Sequence, residues 1–247
     1  MIPYIETKHG NISTFVIFII IGILSLLLCI HITLQKATDS QKEENYIIPK
    51  IITSGFIAYF SAGFLDSLFK YFEYGVFKIS GITFYGGFLA AVISLYIQLK
   101  LHTDTQYSIN QWFNLLTQPF LLFHFFGRIG CFFAGCCYGK TTENVFGVSF
   151  PDNIELGFIH NGLKCYPTQL FEAIIILLIF VILIFVKQKF RIYLFCYSIS
   201  RFLLEFLRAD DRGYISNYFS PAQVISLTIM LIYFLTFIRR NKIIKVK

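Results

Sequence analysis

Charge is scarce in this sequence: Asp, Glu, Lys and Arg make up 14% of the 247 residues, against 56% hydrophobic and 19% aromatic. With a mean hydropathy of +0.66, a soluble domain would have to hide several long apolar segments, whereas a bilayer accommodates them directly. Acidic residues are the scarcer sign, 14 against 21 Lys and Arg, for a formal net charge of +7. Most basic residues sit between apolar spans, so the excess reads as a topology signal or a contact with anionic lipid, and no nucleic-acid partner is expected. Six cysteines are too few for a dense secreted scaffold. Cys29 and Cys196 lie in apolar stretches and read as packing residues. Cys131, Cys136 and Cys137, with Cys165 farther on, could form a disulfide or hold a metal, but they lack the paired spacing of a zinc motif, and no metal site is expected. No convincing small-residue cleavage site follows Lys8, so the first apolar run reads as a retained membrane helix.

What is present is a series of apolar runs. Candidate spans fall at about 12–34, 51–69, 81–99, 112–133, 166–186, 192–207 and 221–238, each of a length to cross about 30 Å of hydrocarbon as a helix, with some tolerance for the shortest. Gln35 to Lys50 is polar and reads as a loop, and Lys70 to Ser80 as a short connection. Gly55 and Gly63 suit close helix contact in the second span, and Asp66 falls near its end, where head-group water could keep it charged. Gly81 to Gly87 opens the third span; Tyr85 offers a hydroxyl there, and Gly86 and Gly87 let backbone approach a ligand or a neighbouring helix. Pro119 is expected to kink or break the fourth span. The expectation is an all-α integral membrane protein, a single domain over 1–247 with seven transmembrane helices, in which residues 140–167 could form a small extracytoplasmic cap carrying Asp152, Asn153, Glu155, His160 and Asn161.

The organising stretch is Gly127-Arg128-Ile129-Gly130-Cys131-Phe132-Phe133-Ala134-Gly135-Cys136-Cys137-Tyr138-Gly139. It sets a guanidinium at the end of an apolar run that only His124 interrupts. Such a charge needs a carboxylate, a phosphate or a water-filled cavity to receive it. The glycines remove bulk around Arg128, which suggests a pocket floor. Two further places carry charge into apolar helices. Gln169 and Glu172 share a face at three-residue spacing, where Glu172 could counter Arg128 or Arg201. Arg201 and Glu205 share a face at four, followed by Arg208 and then Asp210, Asp211 and Arg212.

The basic tail, Arg239, Arg240, Lys242, Lys245 and Lys247, lies on the same side as the first loop and the Lys187 to Arg191 turn in a seven-span arrangement. A positive-inside bias then puts the C-terminus in the cytoplasm and the N-terminus outside. The Arg128 end, the cap and the Asp210 region would all face the outer leaflet.

These motifs resemble the bacterial prolipoprotein diacylglyceryl transferase family. The Gly127 to Gly139 stretch is similar to its signature, with Cys136-Cys137-Tyr138-Gly139 in place of the more familiar acidic and aromatic ending. Tyr166-Pro167-Thr168-Gln169-Leu170-Phe171-Glu172 is similar to its His-Pro-Ser/Thr-Gln-Leu-Tyr-Glu motif, Arg201 to Arg208 to a third, and Gly86-Gly87 to its His-Gly-Gly site. Two positions depart from the pattern: Tyr85 stands where the family has His, and Cys131 where Asn is common. Tyr, with an ordinary pKa near 10, is a poorer ready-made base than His at neutral pH, and Cys lacks the two-ended hydrogen bonding of Asn.

The resemblance implies transfer of a diacylglyceryl group from phosphatidylglycerol to the lipobox cysteine of a membrane-inserted prolipoprotein signal peptide. It implies Arg128, Arg201, Tyr85 and Glu205 as catalytic residues and Gly86, Gly87, Gln169, Glu172 and Arg208 as substrate-binding ones. The arginines would meet the charge developing on the phosphate leaving group, and Glu205 would orient Arg201. No cofactor is implied, and a monomer in the cytoplasmic membrane is expected. The changes at Tyr85 and Cys131 leave room for a related glycerolipid-dependent transferase with a different acceptor. An Arg-lined cavity would equally serve a non-enzymatic lipid-binding or transport protein.

Overall fold

Thr14 begins the first helix under local instruction: its hydroxyl and its backbone N–H both reach the Pro3 carbonyl, each at 2.9 Å. The computed structural model describes residues 3–7, 10–75, 83–150, 162–209 and 219–245. A hairpin of β1 (Tyr4–Thr7) and β2 (Gly10–Ser13) precedes α1 (Thr14–Leu34), and six further helices follow: α2 (Ser40–Tyr74), α3 (Phe84–Leu101), α4 (Ile109–Ala134), α5 (Thr168–Ile184), α6 (Lys189–Glu205) and α7 (Pro221–Lys245). Between α4 and α5, β3 (Val148–Ser149) pairs antiparallel with β4 (Lys164–Cys165). The described part of the chain is thus all-α apart from two small hairpins.

Among the described residues four helices are long and apolar enough to cross a membrane: α1, the Ser40–Leu65 part of α2, α3 and α4. α5 and the Pro221–Thr236 part of α7 are apolar but shorter. Large apolar side chains stand outward along these helices, including Leu24 and Leu28 on α1, Phe56 and Phe60 on α2, and Leu178 and Ile182 on α5. Exposure on that scale suits lipid and not water. The chain is a multi-pass membrane protein.

Several boundaries differ from the sequence expectation. The polar stretch taken as the first loop is helical from Ser40, because Asp39 caps it by accepting from the Lys42 N–H at 3.0 Å, and Glu43 in the first turn complements the helix dipole. Polarity there marks a helix end and not a loop. The same helix runs through 70–74 to Gly75, whose φ of 70° closes it in the left-handed region. α4 runs uninterrupted through Pro119, and α7 extends past residue 238 to Lys245. Residues 81 and 82, the cap residues Asp152 to Asn161, and Asp210 to Gly213 lie outside the described residues, as do the side chains of Asp66 and of the basic tail.

The chain divides into two compact units. One comprises Met1–Cys29, Leu116–Asp211 and Ser226–Lys247, the other Ile30–Leu115 and Arg212–Ile225. In the first, α1 packs closely on α4: a Cβ on Gly130 would lie 3.1 Å from Phe18 and 3.2 Å from Phe15, and Phe18 stacks on Phe133 at 5.1 Å. α6 meets α7 through Phe195 stacked on Tyr233 at 4.4 Å and Arg191 donating to Thr236 at 3.1 Å.

In the second unit α2 and α3 pack along small and neutral polar residues. Gly87 faces the Ala58 carbonyl and Ala62. Ser54 Oγ donates to Ser94 Oγ at 3.3 Å, while Gln98 Nε2 donates to Ser54 Oγ at 3.0 Å and Ser94 Oγ at 3.1 Å. At the end of this pair, buried Glu43 accepts from Thr105 Oγ1 at 2.5 Å and the Gln106 N–H at 2.9 Å, holding the α3–α4 connection.

Candidate active site

Four-residue spacing builds the site. On α6, Tyr193, Tyr197, Arg201 and Glu205 recur every fourth position and so line one helix face. On α4, His124 and Arg128 do the same, with Arg128 Nε donating to His124 Nε2 at 3.4 Å. On α5, Glu172 stands one turn beyond Gln169. All of these side chains are in the first unit and almost wholly removed from the surface; Glu172 and Arg201 are each 1% exposed.

Glu172 is where they converge. Its Oε1 lies 3.0 Å from Arg128 Nη2 and accepts from the Tyr197 hydroxyl at 2.6 Å, with His124 Nε2 at 3.7 Å. Its Oε2 is 4.0 Å from Arg208 Nη1. Beside this group Arg201 Nη2 meets Glu205 Oε2 at 2.6 Å. Removing an ion from water costs several kcal/mol even after relaxation, so a buried carboxylate persists only where cations and donors surround it. Among the described residues three guanidiniums face two carboxylates here, one positive charge in excess. Moreover, Arg201 Nε and Nη1 have no hydrogen-bond partner among the described residues. A buried guanidinium with one edge on a carboxylate and donors to spare on the other is equipped to hold an oxyanion.

The cluster is held by backbone geometry where three helix ends meet. Gly139 N–H donates to the Tyr166 carbonyl at 2.8 Å, Lys140 N–H to the Leu207 carbonyl at 2.7 Å, and Gly139 bridges Arg208. A Cβ at Gly139 would stand 2.6 Å from the Leu207 carbonyl oxygen and 2.8 Å from both Thr168 and Tyr166, so a side chain does not fit. Gln169 Nε2 donates to the Cys136 carbonyl at 2.6 Å and Thr168 Oγ1 to the Cys137 carbonyl at 2.7 Å, tying the start of α5 to the turn after α4.

Of the residues singled out in the sequence, Arg128, Glu172, Arg201, Glu205 and Arg208 come together, with Gln169 beside them. Glu172 answers Arg128, and Glu205 answers Arg201. Tyr85, Gly86 and Gly87 belong to the other unit. There Tyr85 is buried beside Phe84, ring centres 5.8 Å apart, and Gly86 packs on Leu65, where a Cβ would approach to 2.9 Å. The glycines around Arg128 serve separate contacts: Gly130 admits α1, Gly135 ends α4 with φ 74°, Gly139 admits the Leu207 carbonyl and the side chains of Tyr166 and Thr168, and a Cβ on Gly127 would meet nothing within 4 Å.

Tyr193 and Tyr197 belong to no sequence motif, and His124 only interrupts an apolar run. The signal that finds them is the four-residue period leading into Arg128 and Arg201. The six cysteines all carry thiols. Burial pushes the Cys165 thiol up, and hydrogen bonding with Cys131 and then Cys137, followed by burial, raises that of Cys136. Neither is a ready nucleophile.

The sequence matches the family described as prolipoprotein diacylglyceryl transferase over residues 4–239. It is 33% identical over 160 residues to the phosphatidylglycerol-prolipoprotein diacylglyceryl transferase of Clostridium tetani, covering 62% of this chain and 61% of that protein. It is 31% identical over 160 residues to the phosphatidylglycerol-prolipoprotein diacylglyceryl transferase 2 of Clostridium perfringens, covering 62% and 59%. To the phosphatidylglycerol-prolipoprotein diacylglyceryl transferase of Rickettsia bellii it is 27% identical over 216 residues, covering 80% and 77%. The chain thus spans about three fifths of the length of the two clostridial relatives.

Proposed function

The chain belongs to the prolipoprotein diacylglyceryl transferase family, and we propose that it transfers the diacylglyceryl group of phosphatidylglycerol to the lipobox cysteine of a prolipoprotein. The observation that carries this reading is Arg201, buried, held by Glu205 on one edge and with Nε and Nη1 left to donate. A phosphodiester is the ligand that two such donors and an excess positive charge suit.

The acceptor sulfur attacks the glyceryl carbon bonded to phosphate. A C–S bond forms, the C–O bond breaks, and its electron pair stays on the phosphate oxygen that leaves as glycerol phosphate. The thiol proton ends on the released phosphate monoester, so charge balances across the reaction. Arg201 and Arg128 meet the developing charge, Glu205 and Glu172 hold their guanidiniums in place, and Arg208 adds to the positive field. Gln169 Oε1, which has no partner among the described residues, is suited to accept from a head-group hydroxyl. Tyr85, standing before Gly86 and Gly87, orients the phosphate or serves as a locally activated base, by its place in the motif.

The chain is read as one domain of seven spans with residues 140–167 as an outer cap, acting as a monomer. The N-terminus lies outside, the C-terminus in the cytoplasm, and the arginine site toward the outer leaflet, where lipid head groups and a signal-peptide cysteine both reach. The departures at Tyr85 and Cys131 favour, as a second reading, the same donor with another acceptor.

The test reconstitutes the purified protein with labelled phosphatidylglycerol and a lipobox peptide and seeks a diacylglyceryl adduct by intact mass and fragmentation. The adduct is expected on the cysteine and absent when that cysteine is replaced. No adduct across several lipobox peptides, in a membrane preparation where a known transferase is active, overturns the lipoprotein acceptor and directs the search to other lipid acceptors.

A further inference from the structure

Three thiols that are unevenly spaced in sequence form one cluster at the end of α4. The Sγ atoms of Cys131, Cys136 and Cys137 all lie within 4.8 Å of one another. The helix end puts them there. Gly135 takes φ 74°, its N–H bonds the Phe132 carbonyl at 3.2 Å, and the Cys136 N–H returns to the Cys131 carbonyl at 3.2 Å. That pair of bonds is a Schellman motif, which sets the side chain three places before the cap against the one two places after it. Those positions usually carry an apolar contact; here both are cysteine.

Cys137 follows with φ 65°, alone among the described non-glycine residues in having positive φ. A side chain is strained in that region, and such strain persists only where the surroundings hold it. The holders are Thr168 and Gln169, which bond the carbonyls of Cys137 and Cys136 at 2.7 and 2.6 Å. The third thiol is therefore fixed toward the other two by the fold and not by its own preference. All three residues are partly accessible, which leaves a route for an ion.

We propose that Cys131, Cys136 and Cys137 bind a soft monovalent cation, Cu(I), as a three-coordinate thiolate site. A metal–sulfur distance of about 2.3 Å, as in zinc thiolates, places the three sulfurs of a trigonal plane about 4 Å apart, within the spread of the cluster. Soft thiolates select Cu(I), whereas structural zinc takes four ligands, and no His, Asp, Glu or fourth Cys joins this cluster among the described residues. Metal binding exchanges three thiol protons for the cation, so the site gains two negative charges; the Arg128 guanidinium, three residues before Cys131, interacts electrostatically with Cys131 and Cys137 and offsets them in part. The bound ion would clamp the α4 turn to itself, independently of any lipid chemistry.

The experiment titrates the reduced, detergent-solubilised full chain anaerobically with Cu(I) in the presence of a colorimetric Cu(I) chelator, and measures sulfur coordination by X-ray absorption. One Cu(I) per chain, three sulfur neighbours and a rise in melting temperature on loading are expected. Cys131→Ser, Cys136→Ser and Cys137→Ser should each weaken retention by more than the roughly 10–100-fold that loss of an outer-shell partner costs. Cys29→Ser/Cys196→Ser should retain copper like the parent, which separates loss of the site from general misfolding. Copper retained in all three single variants, a four-coordinate zinc preferred over Cu(I), or a disulfide within the triad with no copper uptake after reduction would each overturn the proposal.

Discussion

Each of the two units buries a glutamate, and they are satisfied in opposite ways. Glu43 accepts from a hydroxyl and a backbone N–H of the neighbouring connection, two neutral groups, and so holds that connection. Glu172 is met by Arg128, His124, Tyr197 and Arg208, drawn from α4, α6 and the turn that follows α6. A neutral shell closes an account locally; a cationic shell leaves charge over, and with Arg201 it leaves donors as well. The teaching of the pair is that burial of a charge does not mark function, while an excess of the opposite charge around it does.

The comparison breaks most severely at Glu172. Glu172→Gln removes the charge that Arg128 and Arg208 face, and a loss of about 3–5 kcal/mol of stability is expected, the cost of leaving a buried ion unpaired. Thermal unfolding in detergent would show it, and an unchanged melting temperature would mean that water reaches the cluster. Arg201→Ala leaves Glu205 without its partner and so also destabilises the fold, but its larger effect is expected on transfer per folded protein, lowered by about 10²–10³-fold, the loss typical of one oxyanion donor. Transfer assayed with labelled phosphatidylglycerol reads this directly, and if neither Arg201→Ala nor Arg128→Ala slows it, the electrostatic assignment fails.

A smaller effect is expected where geometry and not charge is at stake. Gly139→Ala forces a methyl against the Leu207 carbonyl, Thr168 and Tyr166, which should cost about 1–3 kcal/mol as an overpacked site. Because Arg208 is bridged to Gly139, the same change should weaken transfer more than its stability cost alone explains, measured as activity per folded protein. Smallest is Ser54→Ala in the other unit. It removes neutral hydrogen bonds to Ser94 and Gln98 and should cost about 1 kcal/mol while leaving transfer at the parental rate. A large loss of transfer there would show that the neutral interior also serves the chemistry.

Much of this arrangement is legible in particular residues. Arg128, Arg201 and Glu205 stand out because a guanidinium or carboxylate inside an apolar run requires a partner, and the four-residue interval between Arg201 and Glu205 supplies one at 2.6 Å. Tyr197 was hidden because a tyrosine among apolar residues is ordinary; only its 2.6 Å bond to Glu172 gives it a role. The helical start at Ser40 was hidden because charged residues at a helix end look like those of a loop, and Glu43 finds its partners sixty residues away in the chain.

By itself the sequence determined that this chain belongs in a bilayer, where its apolar runs lie and which charged residues could not stand alone, because hydrocarbon permits neither open backbone nor isolated ions. The tertiary structure decided the pairings. Whether Glu172 answered Arg128 or Arg201, and whether three unevenly spaced cysteines met, depended on helix phase and on one Schellman turn. The first is a distance between segments far apart in the chain and the second the fold of one helix end, and residue spacing alone fixes neither.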